Sequence, residues 1–309
     1  MRHELEERIA FLLSEGAQAD LLSLAMRAGA LSAGKRMRPL LLMLVARDLG
    51  CASPAVIDVA CAVELVHAAS LMLDDMPCMD NALLRRGKPA IHVQYGEDVT
   101  ILASIALLSR AFSILASIQD LPPLTRTGLV TRLAETVGAQ GLVRGQFMDL
   151  RGGAHSVAEI AATNELKTGV LLGVAVDMAA ILAQAEDSVG VALRAFALAA
   201  GQAFQIRDDF QDGPGNDSTL IGKDTGKDVG KSTFVNALGG DEARRRLHAH
   251  LAEADHHLSA ALKGRQGTRS FVRALFAQGA PDAFQKPGIG AMIHADAAAA
   301  MAGHDARVG

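Results

Sequence analysis

Residues 54–80 read PAVIDVACAVELVHAASLMLDDMPCMD, an apolar run that ends in carboxylates. Ala, Leu and Met keep most of their side-chain freedom in a helix, so the run predicts a helix over about residues 54–75 that is buried along most of its length. Helix C-termini carry partial negative charge, which disfavours an isolated acid at Asp74 or Asp75. A bound cation reverses that penalty. Pro77 cannot continue a regular helix, and a bend there can return Asp80 towards Asp74. Straight helical spacing cannot, because six residues turn the chain by about 240°.

Residues 204–212, FQIRDDFQD, form a second acidic cluster. Asp208 and Asp212 share a helix face, with Asp209 beside them, and like charges at that spacing destabilise a bare helix. Oxygen-only ligands suit magnesium, which commonly bridges one or two carboxylates to substrate phosphates and keeps bound water. Either cluster alone has an ordinary explanation, since acids near a helix end are usually solvated or paired with Arg. Two Asp-Asp clusters, each completed by a third Asp, point instead to a diphosphate held between metal ions.

The rest of the chain agrees with a helical reading. Of the 309 residues, 50% are hydrophobic but only 4% aromatic, with one Tyr and no Trp, so Ala, Leu, Val and Met fill the interior. Helices are predicted at about residues 4–29, 39–48, 54–75, 92–118, 124–150, 157–163, 166–185, 188–212 and 241–263. The fold class is therefore all-α: a single-domain helical bundle over residues 1–278. Residues 279–309 shift to Ala, Gly, His and Asp and are expected to be a loosely attached or disordered tail, with a docked helix around 295–302 as the alternative. A net charge of −4 argues against a general nucleic-acid surface. Cys51, Cys61 and Cys78 are too few and too odd in number for a disulfide framework and fit a reducing, cytoplasmic compartment. The apolar stretches 101–118 and 170–183 are broken by Arg110 and Asp177 and are expected to be buried helices, with no membrane span.

Basic residues gather where an anion would need them. Gly34-Lys-Arg-Met-Arg-Pro39 precedes an apolar helix and offers Lys35, Arg36 and Arg38. His67 lies two turns before Asp74 on the same face, where a lone His is ordinarily a satisfied core residue. Arg85-Arg86-Gly87-Lys88-Pro89 follows the first acidic cluster, and Arg can both neutralise aspartates and bind phosphate bidentately. Lys167-Thr168-Gly169 opens another apolar helix. Residues 222–233, GKDTGKDVGKST, supply Lys223, Lys227 and Lys231. Their GKST ending fits a nucleotide-binding loop only after a buried strand, and here an acidic helix and polar loop precede it.

Taken in order, GKRMRP, HAASLMLDDMPCMD, RRGKP, GQFMDL, KTG, FQIRDDFQD and GKDVGKST resemble the trans-type polyprenyl synthetase family, the bacterial geranylgeranyl and farnesyl diphosphate synthase group, over about residues 30–240. The resemblance implies the isoprenoid synthase fold around a deep central cavity, a homodimer, and magnesium, three ions with substrate bound or manganese in its place. It implies Asp74 and Asp80 as ligands from one wall and Asp208 from the other, with Asp75, Asp209 and Asp212 ligating or supporting. Arg85, Lys167, Lys223 and Lys231 would hold an allylic diphosphate. Lys35, Arg38, His67 and Arg86 would form an isopentenyl diphosphate site. Gln146, Asp149, Thr168 and Gln205 would lie near the allylic carbon.

The implied activity is magnesium-assisted ionisation of the allylic diphosphate and condensation with isopentenyl diphosphate. Product length would depend on the cavity floor, about 6 Å down the helix from Asp74, where Ala69 and Ser70 are both small. Shorter-product members of the family often place an aromatic at one of these positions, so the resemblance implies a twenty-carbon geranylgeranyl product over farnesyl, although small residues there can also serve close helix packing. A terpene cyclase would need no second diphosphate pocket, and a non-catalytic partner subunit would not need intact carboxylates.

Overall fold

The computed structural model describes residues 1–14, 20–151, 156–211 and 233–277. Described residues form helices α1 (Arg2–Leu12), α2 (Leu21–Ala30), α3 (Met37–Asp48) and α4 (Ala55–Asp74), then a small hairpin of β1 (Leu84–Arg85) and β2 (Lys88–Pro89). Helices α5 (Ile91–Tyr95), α6 (Glu97–Ser117), α7 (Pro123–Val137), α8 (Leu142–Leu150) and α9 (Val157–Asn164) follow. A π-helical turn (Glu165–Gly169) leads into α10 (Val170–Leu182), α11 (Asp187–Gln211), α12 (Phe234–Leu238), α13 (Gly240–Leu262) and α14 (Gly267–Ala277).

Helix α4 is the axis of the core and packs against α6, α3, α10, α1 and α2. Every residue from Val59 to Val63 is fully buried, as are Leu65, Val66 and Ala69. A helix apolar on all faces must be surrounded, and its many alanines let the neighbours come close. Burial of each large aliphatic side chain contributes about 1.5–3 kcal/mol. A smaller cluster of Ile160, Ala203, Ile206, Phe234, Ala243, Leu247 and Phe276 secures the C-terminal end of α11.

Several helices read as continuous are divided. The stretch 4–29 contains α1 and α2, and Asp20 caps the second by accepting from the Ser23 amide at 2.8 Å. The stretch 92–118 breaks at Gly96, whose φ of 93° is open chiefly to glycine. The stretch 124–150 breaks between Gly138 and Gly141, where a β-carbon on Gly141 would collide with the carbonyl of Thr136. Arg86 and Gly87, with φ of 55° and 74°, form the hairpin turn. The hairpin is too short to carry a periodic pattern, whereas α14 has 11 residues and a clear apolar face, and it is absent from the predicted helices although its pattern is legible.

By length and composition three helices could cross a membrane: Ala55–Asp74, Glu97–Ser117 and Asp187–Phe210. They pack in the bundle with 61%, 39% and 50% of their most apolar windows buried. The segment 279–309, with its alternative helix at 295–302, lies outside the described residues, as does most of the Lys-rich stretch 222–233.

Candidate active site

The C-terminus of α4 turns back as its proline requires. The Asp80 amide donates to the carbonyl of Asp74 at 2.9 Å, and the amides of Asn81 and Ala82 reach the carbonyls of Met76 and Asp75 at 3.0 and 3.1 Å. Asp74 and Asp80 thereby reach one cavity. Asp75 points elsewhere. It is buried, and Nε of Arg85 donates to both of its oxygens at 3.0 Å.

Burial pushes the Asp74 carboxyl up to about 6; Lys167 opposes that rise, and the negative charge of Asp80 adds to it. An acid kept from its charged form by burial and a neighbouring carboxylate is relieved by a cation.

The opposite wall is the end of α11. Asp208 and Gln205 line the cavity. Asp209 is buried and accepts from the Phe234 amide at 2.8 Å and from Gln205 Nε2 at 3.0 Å, so its carboxylate ties α12 to α11. Arg207 is also buried, its guanidinium 4.4 Å from the Phe204 ring centre and 5.2 Å from that of Phe276. It donates to the Leu275 carbonyl at 3.0 Å, which anchors α14 beside the acidic wall.

Between these walls the π-helical turn brings Lys167 and Thr168 to the cavity. One extra residue in a helical turn redirects side chains that regular spacing would send apart. Gly145 of α8 lies against the backbone of Lys167 so closely that a β-carbon would not fit. Lys167 Nζ bonds Asp149 at 2.6 Å. Gln146 sits beside Met79, its Nε2 3.9 Å from the sulfur.

A basic pocket continues from the acidic part of the cavity. Lys35, Arg38, His67 and Arg86 line it with Arg36 and Glu64. Arg38 Nη1 is 3.2 Å from His67 Nε2. Because arginine can only donate, that nitrogen accepts and the imidazole is neutral. Burial first, and then Arg38, hold His67 well below its usual value. Burial also brings Arg38 down to about 10 against the attraction of Glu64. Arg86 lies across Gly34, so that a β-carbon there would displace its guanidinium, and donates to Ser32 Oγ at 3.2 Å. These guanidiniums repel one another, a cost that a bound anion offsets.

The whole site is a cavity of about 710 Å³. It gathers Lys35, Arg38, His67, Ser70, Asp74, Asp80, Arg85, Arg86, Lys167, Thr168, Gln205 and Asp208. Asp149, Asp75 and Asp209 are outside the lining but bond Lys167, Arg85 and Gln205 within it, Gln146 lies beside Met79, and Ala69 is fully buried in the core. Asp212, Lys223 and Lys231 lie outside the described residues. Among the described residues, no three acid, imidazole or thiol groups converge tightly enough to hold a metal by themselves. All the cavity's acidic donors are carboxylates on two walls, and the half-buried Asp74 is desolvated against its charge. Such residues fit a hard divalent ion that completes its shell with diphosphate oxygens and water.

Glu6, Glu64 and Arg207 were not singled out in the sequence. The sequence offers Arg36 to a phosphate beside Lys35 and Arg38, but its guanidinium bonds Glu64 and Glu6. Glu64 is the one legible signal, an acid midway along the long apolar stretch between Asp58 and Asp74.

A helical bundle whose central cavity is faced by aspartates from two helices is an isoprenoid synthase fold. A geranyltransferase from Helicobacter pylori, solved in complex with magnesium and isoprenyl diphosphate, matches with a TM-score of 0.78 and 28% identity over 89% of this chain and 95% of that one. The sequence model for polyprenyl synthetases matches residues 19–263, and the chain belongs to that family. It is 49% identical over 280 residues to a geranylgeranyl diphosphate synthase of Pseudescherichia vulneris, covering 89% of this chain and 90% of the relative. It is 48% identical over 277 residues to that of Pantoea ananas, covering 88% and 90%.

Proposed function

We propose that the chain is a trans-prenyltransferase that condenses isopentenyl diphosphate with allylic diphosphates and that its main product is geranylgeranyl diphosphate. One observation carries the reading: a single cavity has carboxylates on two walls at one part and four basic or imidazole side chains at the next. It therefore accommodates two diphosphates side by side. Asp74, Asp80 and Asp208 would hold magnesium, three ions with substrate bound, with manganese able to replace it. The bound ions would neutralise charge on the leaving diphosphate.

Arg85 and Lys167 orient the allylic diphosphate, with its reacting carbon towards Thr168 and Gln205. The carbon–oxygen bond breaks with its electron pair on the departing diphosphate. The double bond of isopentenyl diphosphate, placed by Lys35, Arg38, His67 and Arg86, attacks the allylic carbon. The released diphosphate takes a proton from the adduct, whose C–H electron pair restores a double bond. Preorganised charge aimed at the leaving group is the main source of acceleration in such a site. The apolar lining of Leu142 and Leu171 keeps water from the cation.

The small side chain of Ser70 in the lining and the names of the relatives near 49% identity support a twenty-carbon product. Ile101, Leu102 and Ile105 leave an exposed apolar face on α6, which supports pairing of two copies. Three unpaired cysteines support a cytoplasmic setting. Incubation with isopentenyl diphosphate and farnesyl diphosphate, with magnesium or with chelator, followed by chromatography of the dephosphorylated products, tests the assignment. A linear twenty-carbon alcohol formed only with the ion is expected. A cyclic hydrocarbon, or unchanged substrates under every condition, would refute it.

A further inference from the structure

We propose that Arg36 is a positioning residue that, held by Glu64 and Glu6, fixes the turn presenting Lys35 and Arg38 to the second diphosphate. The proposal rests on the reading of that pocket as the isopentenyl diphosphate site. Arg36 stands between two residues assigned to the pocket, yet its own guanidinium is turned inward and the residue is 3% exposed.

Its backbone is left-handed, with φ 50° and ψ 34°. A residue with a β-carbon is strained there unless its surroundings hold it. Nη1 donates to Glu64 at 2.7 Å, Nε to Glu6 at 3.1 Å and Nη2 to the Ser32 carbonyl at 2.8 Å. Each nitrogen of the fork donates once, and with the side chain only 2% exposed the two remaining N–H groups are closed to a bidentate grip on phosphate.

The bond to Ser32 closes the turn on itself, and Arg86 reaches the hydroxyl of the same serine. Helix α3 begins at Met37, immediately after the left-handed residue. The Arg36 conformation therefore sets the direction in which Lys35 and Arg38 leave the turn. Glu64 acts a second time, because its charge attracts the half-buried Arg38 in the cavity lining. Glu6 belongs to α1, and Arg2 one turn earlier lines the same cavity. The first helix is thus part of the pocket's support, which no motif in the sequence indicated.

The test is steady-state kinetics with each substrate varied in turn, plus calorimetric titration of isopentenyl diphosphate and thermal melting. The variants are Glu6→Gln, Arg36→Lys, Arg36→Met and Lys35→Ala. Glu6→Gln is expected to raise KM for isopentenyl diphosphate about three- to tenfold and Arg36→Met roughly thirtyfold, with Arg36→Lys between them. KM for the allylic diphosphate should shift less than about twofold, and the calorimetric Kd should follow the first KM.

Equal rises in both KM values, or unchanged isopentenyl diphosphate affinity in the Arg36 and Glu6 variants, would overturn the positioning role. If Lys35→Ala raises that KM while those variants do not, only this role fails. If Lys35→Ala is also silent, the pocket itself is misassigned and both readings fail. Should Arg36→Met not fold, Glu6→Gln decides, since Glu6 is only partly buried.

Discussion

Arg85 binds both oxygens of the Asp75 carboxylate through its Nε, at 3.0 Å each, while Asp74, one residue earlier, faces the cavity. Adjacent acids thus have different partners. Asp75 orients a guanidinium that lines the cavity, and Asp74 has no ion pair among the described residues. The expected kinetics differ accordingly. Asp75→Asn should raise KM for the allylic diphosphate about tenfold by loosening Arg85, whereas Asp74→Asn should lower kcat roughly a thousandfold. Steady-state assays separate them, and matching kinetic profiles would contradict the division of roles.

The burial of Asp74 has a consequence for stability. A carboxyl whose pKa rises on folding, here from 3.8 to about 6, holds its proton more tightly in the folded state. The resulting cost grows as pH rises through that interval and is complete above about pH 6. Metal-free Asp74→Asn should therefore be more stable than the wild type by about 1–3 kcal/mol at neutral pH, with the difference shrinking towards pH 4. Magnesium with diphosphate should stabilise the wild type and not the variant. Thermal melting across pH, with and without those ligands, checks both statements; a variant less stable at neutral pH would refute them.

The packing of α8 against the π-helical turn makes Gly145 a sensitive position. A methyl group there meets the backbone of Leu166 and Lys167, so Gly145→Ala must displace Lys167. A loss of about tenfold or more in kcat/KM is expected, with helical content retained by circular dichroism. Full activity would mean that the turn accommodates the change.

Chain length should respond to Ser70, which lines the cavity, more cleanly than to Ala69, which is fully buried. A phenylalanine at Ala69 would overpack the core at a cost of about 1–3 kcal/mol. Ser70→Phe should shorten the main product from twenty carbons, as read by chromatography of the dephosphorylated alcohols. An unchanged product would remove Ser70 from the floor.

The acidic walls were legible because carboxylates closing apolar helices are costly without a cation, and the return of Asp80 followed from Pro77. Helix breaks were less legible. Gly96 and Gly141 matter through backbone angle and close approach, which hydrophobic period does not report. The π-helical turn, Glu165–Gly169, is polar and precedes the apolar helix, and one extra residue in a turn leaves composition unchanged. The different surroundings of Asp208 and Asp209, one in the cavity and one bonded to Phe234, depend on long-range packing that two identical neighbours in sequence cannot reveal.

The shared use of divalent ions by the two walls can be observed directly. Crystals grown with manganese and a non-ionisable allylic thiodiphosphate would be measured by anomalous scattering. Anomalous peaks should lie in the cavity within bonding distance of Asp74 or Asp80 on one side and Asp208 on the other, bridged by the diphosphate oxygens. A bound diphosphate with no metal, or with metal on only one wall, would contradict the account.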